Sequence, residues 1–166
     1  MSSILQKKDY SIVIILDNIR SLNNIGSIFR TADAFNIEKI ILCGICGTPP
    51  HREINKTALG STDFVKWEYY ENIDTPIKKL ITENFEIISI EQTKESIILN
   101  NYKPKNKVAF IFGNEVKGVS ESSLELSNFS VEIPQYGQKK SMNVTICTGI
   151  VLWDFYQKKG PKKGPF

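Results

Sequence analysis

Apolar residues fall along this chain in six short runs, at positions 11–16, 39–45, 64–69, 85–90, 107–112 and 129–133. Four of these are nearly unbroken Ile, Val, Leu and Phe, the pattern of parallel strands covered on both faces. The segments between them follow a different period. Over 24–35, Ile25, Ile28, Phe29, Ala32 and Phe35 fall on one stripe of a helix. Thr75 and Pro76 read as the cap and first position of a helix running to about Asn84. Residues 120–126 fit a short helix, whereas 44–56 and 92–105 read as loops. This alternation, with no internal repeat, predicts a single α/β domain whose mostly parallel sheet is flanked by helices.

The stretch 142–158 is a predicted helix of another kind. Val144, Ile146, Cys147, Ile150, Val151, Leu152, Trp153, Phe155 and Tyr156 leave it almost no polar face. A helix apolar all round must be covered on all sides. In a domain of this size the second cover is expected from another subunit, so a homodimer is expected.

Composition narrows the picture further. The chain has 166 residues, 41% hydrophobic and 23% charged, which suits one domain with its own core. Residues 1–157 are assigned to that domain and 158–166 to a basic, flexible tail. The tail reads either as a solvated end or as a loose phosphate-binding arm. No apolar run approaches the ~20 residues of a membrane span, and the first ten residues lack a secretory core. Cys43, Cys46 and Cys147 do not form a disulfide framework. A cytoplasmic location is therefore expected. The net charge of +3 permits nucleic acid without requiring it. Of 21 basic residues only Arg20, Arg30 and Arg52 are arginine, so each guanidinium is a candidate for a specific task.

Two strands near the carboxyl end stop abruptly in glycine, proline and small polar residues. They are Phe110-Ile-Phe-Gly-Asn-Glu-Val-Lys-Gly118 and Val131-Glu-Ile-Pro-Gln-Tyr-Gly-Gln-Lys-Lys-Ser-Met-Asn143. Ligands of open α/β sheets bind outside the carboxyl ends of strands, so these loops point to one pocket. After Leu16 the chain lacks the G-x-G-x-x-G of a dinucleotide site, and no P-loop occurs. A nucleoside cofactor would have to use the loops near Ile90, Gly113 and Ile133.

Three motifs carry a resemblance. Asn24-Ile-Gly-Ser-Ile-Phe-Arg-Thr-Ala-Asp-Ala-Phe35, Phe112-Gly-Asn-Glu-Val-Lys-Gly118 and Ile133-Pro with Ser141-Met-Asn-Val144 occur in this order. They resemble the signature motifs of the SpoU (TrmH-type) RNA ribose 2′-O-methyltransferases over roughly residues 11–156. The stretch Thr48-Pro-Pro-His51 to Gly60 also resembles small, single-domain members. The resemblance implies a SPOUT fold, with a carboxyl-terminal trefoil knot holding S-adenosylmethionine and two subunits sharing an active site. Such knots are rare exceptions to the rules of chain connection.

The same resemblance assigns roles. Arg30 matches the catalytic arginine; on residue type alone it would be a helix-surface arginine paired with an acid such as Asp33. It would act as a base, pass a proton to an RNA phosphate, or stabilise the alkoxide of a ribose 2′-hydroxyl. Asn24 would orient Arg30 or the ribose, or cap a helix. Glu115 would hold Arg30 or substrate, against an exposed turn acid. Ser141 and Asn143 would cap the last helix and fix substrate or cofactor. Ile90, Gly113, Ile133, Ser141 and Met142 would line the cofactor site, with Gly113 letting the backbone approach the cofactor.

The sequence departs from the family at Asn36, where glycine is common, at Gln135 and at Met142. Asparagine accepts the left-handed geometry that Asn36 would need. Cys43-Gly-Ile-Cys46 has only Cys147 and His51 as further candidates, so no metal site is expected and Cys43 reads as a strand end. His51 beside Arg52 reads as an exposed loop histidine or an RNA contact. With little before the first strand, recognition is expected from the dimer surface, the 47–56 loop and the lysine tail. The expected activity is S-adenosylmethionine-dependent ribose 2′-O-methylation, of tRNA first and ribosomal RNA second. A non-catalytic RNA-binding protein and a base methyltransferase are the rival readings.

Overall fold

A computed structural model describes residues 9–160. Strand β1, Ser11–Asp17, lies parallel to β2, Lys39–Cys43, on one side and to β6, Lys107–Gly113, on the other. Beyond β2 lies the edge strand β3, Lys66–Tyr70. Beyond β6 come β4, Glu86–Ile90, then β7, Phe129–Glu132, and β5, Ile97–Ile98. The order is β3-β2-β1-β6-β4-β7-β5, and every ladder is parallel.

The unbroken apolar runs follow from cover on both faces. Along β1, Ile12, Ile14 and Leu16 enter one buried cluster, while Val13 and Ile15 enter the other. The first cluster is closed by helix α1, Leu22–Ala34, by α2, Arg52–Ala58, and by α5, Val144–Lys159. The second is closed by α3, Asp74–Thr82, with Ile77 and Leu80, and by Leu124 of α4, Glu121–Leu126. Full burial of one such side chain contributes about 1.5–3 kcal/mol relative to exposure, so this double-sided core sets the sheet's register.

Several elements differ from the sequence expectation. Residues 52–56, the end of the stretch expected as loop, belong to α2; the His51 side chain accepts from the Glu53 N–H and starts the helix. The 92–105 segment, also expected as loop, adds β5 to the sheet edge through two residues paired with β7. The third helix starts before Thr75, because Asn72 Oδ1 accepts from the Asp74 N–H. Phe64 lies outside β3 and is 78% exposed. Asn36 does adopt left-handed geometry, at φ 48°. Lys158 and Lys159, assigned from sequence to the tail, continue α5. Lys158 Nζ donates to the carbonyls of Leu99 and Tyr102 and pairs with Asp154. The remainder of the tail, 161–166, lies outside the described residues.

Among the described residues no helix is long and apolar enough to cross a membrane. Helix α5 buries Val144, Thr148, Val151, Leu152 and Phe155. Its other side leaves Ile146 58% and Trp153 60% exposed. The apolar residues expected on all sides of this helix are therefore uncovered on one face of the single chain.

Candidate active site

The site is built on the loop after β6. Gly113 ends the strand, and Asn114 and Gly118 exchange two backbone hydrogen bonds of 3.0 and 2.9 Å, folding the loop into a tight hairpin. A Cβ on Gly113 would stand 2.1 Å from the Val119 nitrogen and 2.2 Å from the Gly118 carbonyl carbon. The chain's own return path thus requires this glycine, whatever else approaches it. Asn114 secures the hairpin: its Oδ1 accepts from the Val116 and Lys117 N–H groups, and its Nδ2 donates to the Asn18 carbonyl at 2.7 Å.

A buried carboxylate completes the anchor. Asp17, at the end of β1, accepts from the Ser120 N–H at 2.8 Å and from the Ser123 hydroxyl at 3.1 Å. Buried polar groups are costly unless hydrogen-bonded, and Asp17 is only 1% exposed. Sequence reasoning missed Asp17 and Asn114. An acid at the end of an unbroken apolar strand was the available signal for the first.

This anchoring places Glu115 against the start of α1. Its Oε2 accepts from the Arg20 N–H and its Oε1 from the Ser21 N–H, both at 3.1 Å, and Asn24 Nδ2 donates to Oε1 at 3.2 Å. Partial burial opposes ionisation, but the hydrogen bonds from Arg20, Ser21 and Asn24 outweigh it and hold the carboxyl below its ordinary range. The cap of α1 is Ser21, whose hydroxyl accepts from the Asn24 N–H at 3.2 Å. The capping role considered for Asn24 is therefore filled by Ser21, which frees the Asn24 side chain for Glu115.

The third motif meets the same point. Asn143 Oδ1 accepts from the Thr145 N–H and caps α5, and Asn143 Nδ2 reaches Asn24 Oδ1 at a long 3.5 Å. Ser141 is exposed and makes no cap; Asn143 alone does. Gln92 Nε2 donates to the Lys140 carbonyl at 3.1 Å, tying the loop before α5 to the end of β4.

Between these loops lies a cleft of about 650 Å³ outside the carboxyl ends of β4, β6 and β7. Its size suits a small organic ligand. Ile90, Phe112, Gly113, Ile133, Met142 and Val144 line it, and Asn24, Glu115, Ser141 and Asn143 lie on the same wall-and-rim set. Every sequence-predicted site residue but one therefore meets here. These apolar walls, with backbone and carboxylate groups among them, fit the donor and acceptor edges and flat ring of a nucleoside such as S-adenosylmethionine.

Arg30 is the exception. It is exposed on α1 and does not line the cleft. Six positions of helix separate it from Asn24, a rise of about 9 Å. Among the described residues it makes no ion pair, with Asp33 or any other acid. Arg20, by contrast, sits beside Glu115 through its backbone.

The cysteines are structural in their contacts. Cys43 ends β2, and Cys46 Sγ accepts from the Ile19 N–H and donates to the Leu16 carbonyl. Burial pushes the Cys46 thiol up to about 11. Cys147, on α5, lines the cleft, where burial and then the nearby charge of Glu91 push its thiol up to about 12.

Comparison with known proteins places this geometry. Residues 11–153 match the model of the SpoU rRNA Methylase family. The tRNA (guanosine(18)-2′-O)-methyltransferase of Aquifex aeolicus is 27% identical over 169 aligned residues, covering 100% of this chain and 78% of the relative. A Borreliella burgdorferi protein described as an uncharacterized tRNA/rRNA methyltransferase is 32% identical, covering 90% of this chain and 65% of its own length. The AdoMet-bound rRNA methyltransferase from Sinorhizobium meliloti superposes with a TM-score of 0.83 at 26% identity. That match covers 89% of this chain and 56% of the neighbour. The chain thus spans about three quarters of the first relative and less than two thirds of the other two.

Proposed function

The chain belongs to the SpoU rRNA methylase family, and from that premise we propose that it transfers a methyl group from S-adenosylmethionine to a ribose 2′-hydroxyl of RNA. We take tRNA as the first substrate and ribosomal RNA as the second, and a cytoplasmic location. The observation that carries the reading is the junction of the three motifs: Glu115, Asn24 and Asn143 join at the rim of one apolar-walled cleft.

When bound, S-adenosylmethionine supplies an electrophilic methyl group. Ile90, Gly113, Ile133, Ser141 and Met142 would hold it in the cleft. A 2′-hydroxyl is a poor nucleophile and gains most from a group that favours its alkoxide. Arg30 supplies that group in this reading: a guanidinium offers hydrogen-bond donors and no acceptor, so it works by stabilising developing negative charge. Asn24, fixed between Glu115 and Asn143, orients the ribose.

Arg30 lies outside the cleft of its own chain, so we place it in the cleft of a second copy. The exposed apolar face of α5, with Ile146 and Trp153, would form part of that homodimer. Mutual burial of such side chains favours association. We also infer the trefoil knot of the SPOUT fold. Its support is the position of β4 between β6 and β7, with the Gln92 side chain holding the Lys140 carbonyl across the loops. The assignment of the chain to one methyltransferase domain with a short basic tail remains part of this proposal, with α5 carrying the domain through Lys159.

The reading is tested by mapping ribose methylation in tRNA and rRNA from cells with and without the gene. Loss of a 2′-O-methyl site is expected, detected as a linkage that becomes open to alkaline cleavage. An unchanged methylation map sinks it.

A further inference from the structure

Glu91 is a carboxylate in the cleft that none of the three motifs includes. It directly follows β4, and its backbone N–H donates to the Val131 carbonyl at 3.1 Å, so its Cα is fixed by the sheet. Its side chain is equally fixed. Oε2 accepts from the Val119 N–H at 3.0 Å and Oε1 from the Gln92 N–H at 2.9 Å. Gly118 makes room for it: that residue has φ 73°, and a Cβ there would stand 2.4 Å from Glu91 Oε2.

Among the described residues no lysine or arginine pairs with Glu91. It is half-buried, next to the apolar wall formed by Ile90, Val119 and Cys147, whereas Glu115 is exposed at the rim. An ionised carboxylate offers about four acceptor positions. The protein's own N–H groups use two of them. The two that remain call for neutral hydrogen-bond donors, because a cation at this depth would also have to shed its water.

Resting on the reading above, we propose that Glu91 is a cofactor-binding residue that accepts hydrogen bonds from the 2′- and 3′-hydroxyls of the adenosine ribose. A vicinal diol presents two neutral donors at the spacing of one carboxylate. An acid beyond a strand's carboxyl end serves the ribose of dinucleotides in doubly wound sheets. Here the acid follows a different strand and stands beside a loop folded around it. Glu132 also lines the cleft, but its carboxylate accepts from the Ser96 hydroxyl, which leaves Glu91 as the acid beside the apolar wall to select for a ribose.

Equilibrium binding by calorimetry tests this with the whole chain, using S-adenosylmethionine, S-adenosylhomocysteine and the 2′,3′-dideoxy analogue of the latter. Glu91→Gln keeps an oxygen for the Val119 N–H, and Glu91→Ala removes both acceptors. A lost charge-assisted hydrogen bond corresponds to roughly a 10- to 100-fold loss. That loss is expected in both variants for both ribose-containing ligands. In the wild type the dideoxy analogue should bind correspondingly weakly, and the substitutions should cost it little. An equal penalty on the dideoxy analogue would mean that Glu91 only braces the Val119 loop, which overturns the proposal. A penalty confined to S-adenosylmethionine overturns it in favour of a contact to the sulfonium. If the wild type binds none of the three, the methyltransferase reading fails, and this inference with it. Because the wild-type comparison of hydroxylated and dideoxy ligands needs no variant, a poorly folding substitution still leaves a decisive result: equal wild-type affinities contradict the assignment.

Discussion

Asn24 donates its side-chain amide to Glu115 Oε1 across 3.2 Å, joining the first turn of α1 to the loop after β6. The same carboxylate accepts from the Arg20 and Ser21 N–H groups, so the entrance to α1 and the β6 hairpin are held as one unit. Asn24 Oδ1 faces Asn143, the cap of α5. One short side chain therefore connects parts of the chain 91 and 119 positions away.

Groups that act as a unit are non-additive. Asn24→Ala and Glu115→Ala should each lower kcat by about tenfold or more, and the double variant should be little worse than either single one. Full additivity in a double-mutant cycle would separate the two residues. The pH dependence follows from the depressed carboxyl of Glu115. Its contribution to stability is present above the ordinary 4.5 and is lost as pH falls through the lower folded value. Thermal unfolding of wild type and Glu115→Gln should therefore converge in acid below that point. A gap that persists there contradicts the assignment.

Arg30 is exposed and unpaired with any acid among the described residues. Arg30→Ala should leave the unfolding temperature and S-adenosylmethionine affinity unchanged while reducing methyl transfer by about a hundredfold or more. Mixing this variant with one defective in the cleft, such as Glu115→Ala, should restore part of the activity through hybrid dimers. Failure of that complementation would place Arg30 in its own chain's site.

Gly113→Ala forces a Cβ to within 2.1 Å of the Val119 nitrogen and 2.2 Å of the Gly118 carbonyl carbon. These are backbone atoms, so relief requires the hairpin to open. Overpacking of this kind costs about 1–3 kcal/mol, read by chemical denaturation. Cofactor binding should weaken with it, because Val119 also holds Glu91. A variant as stable as the wild type would show that the hairpin moves freely.

Ile146 and Trp153 lie exposed on the outer face of α5. Trp153→Glu should convert a dimer to a monomer in sedimentation experiments, with loss of methyl transfer but retained cofactor binding. A wild-type monomer, or an unaltered dimer in the variant, contradicts the use of this face.

The sheet was legible in the sequence because strands such as β1 and β6 bury both faces and so read as continuous apolar runs. Helix α2 was not: of its seven residues only Ile54 and Ala58 are buried, too few to set a period. Strand β5 has two residues and exists only because β7 lies beside it. In the site, Asn24, Glu115 and Asn143 were named through resemblance, and periodicity carries no trace of their meeting. Asp17 and Glu91 were missed because each acts through backbone N–H groups more than twenty positions away, Ser120 and Val119 respectively. Such contacts depend on where the crossovers bring the loops.

The central claim is methyl transfer to a ribose hydroxyl, and the most direct test uses the purified protein with methyl-labelled S-adenosylmethionine and unmodified tRNA and rRNA. Complete nuclease digestion of the product should place the label in a single 2′-O-methylated nucleoside, in tRNA first, and the label should fall by about a hundredfold or more with Arg30→Ala. Label on a nucleobase, or RNA binding without any incorporation under conditions where the cofactor binds, would contradict the account.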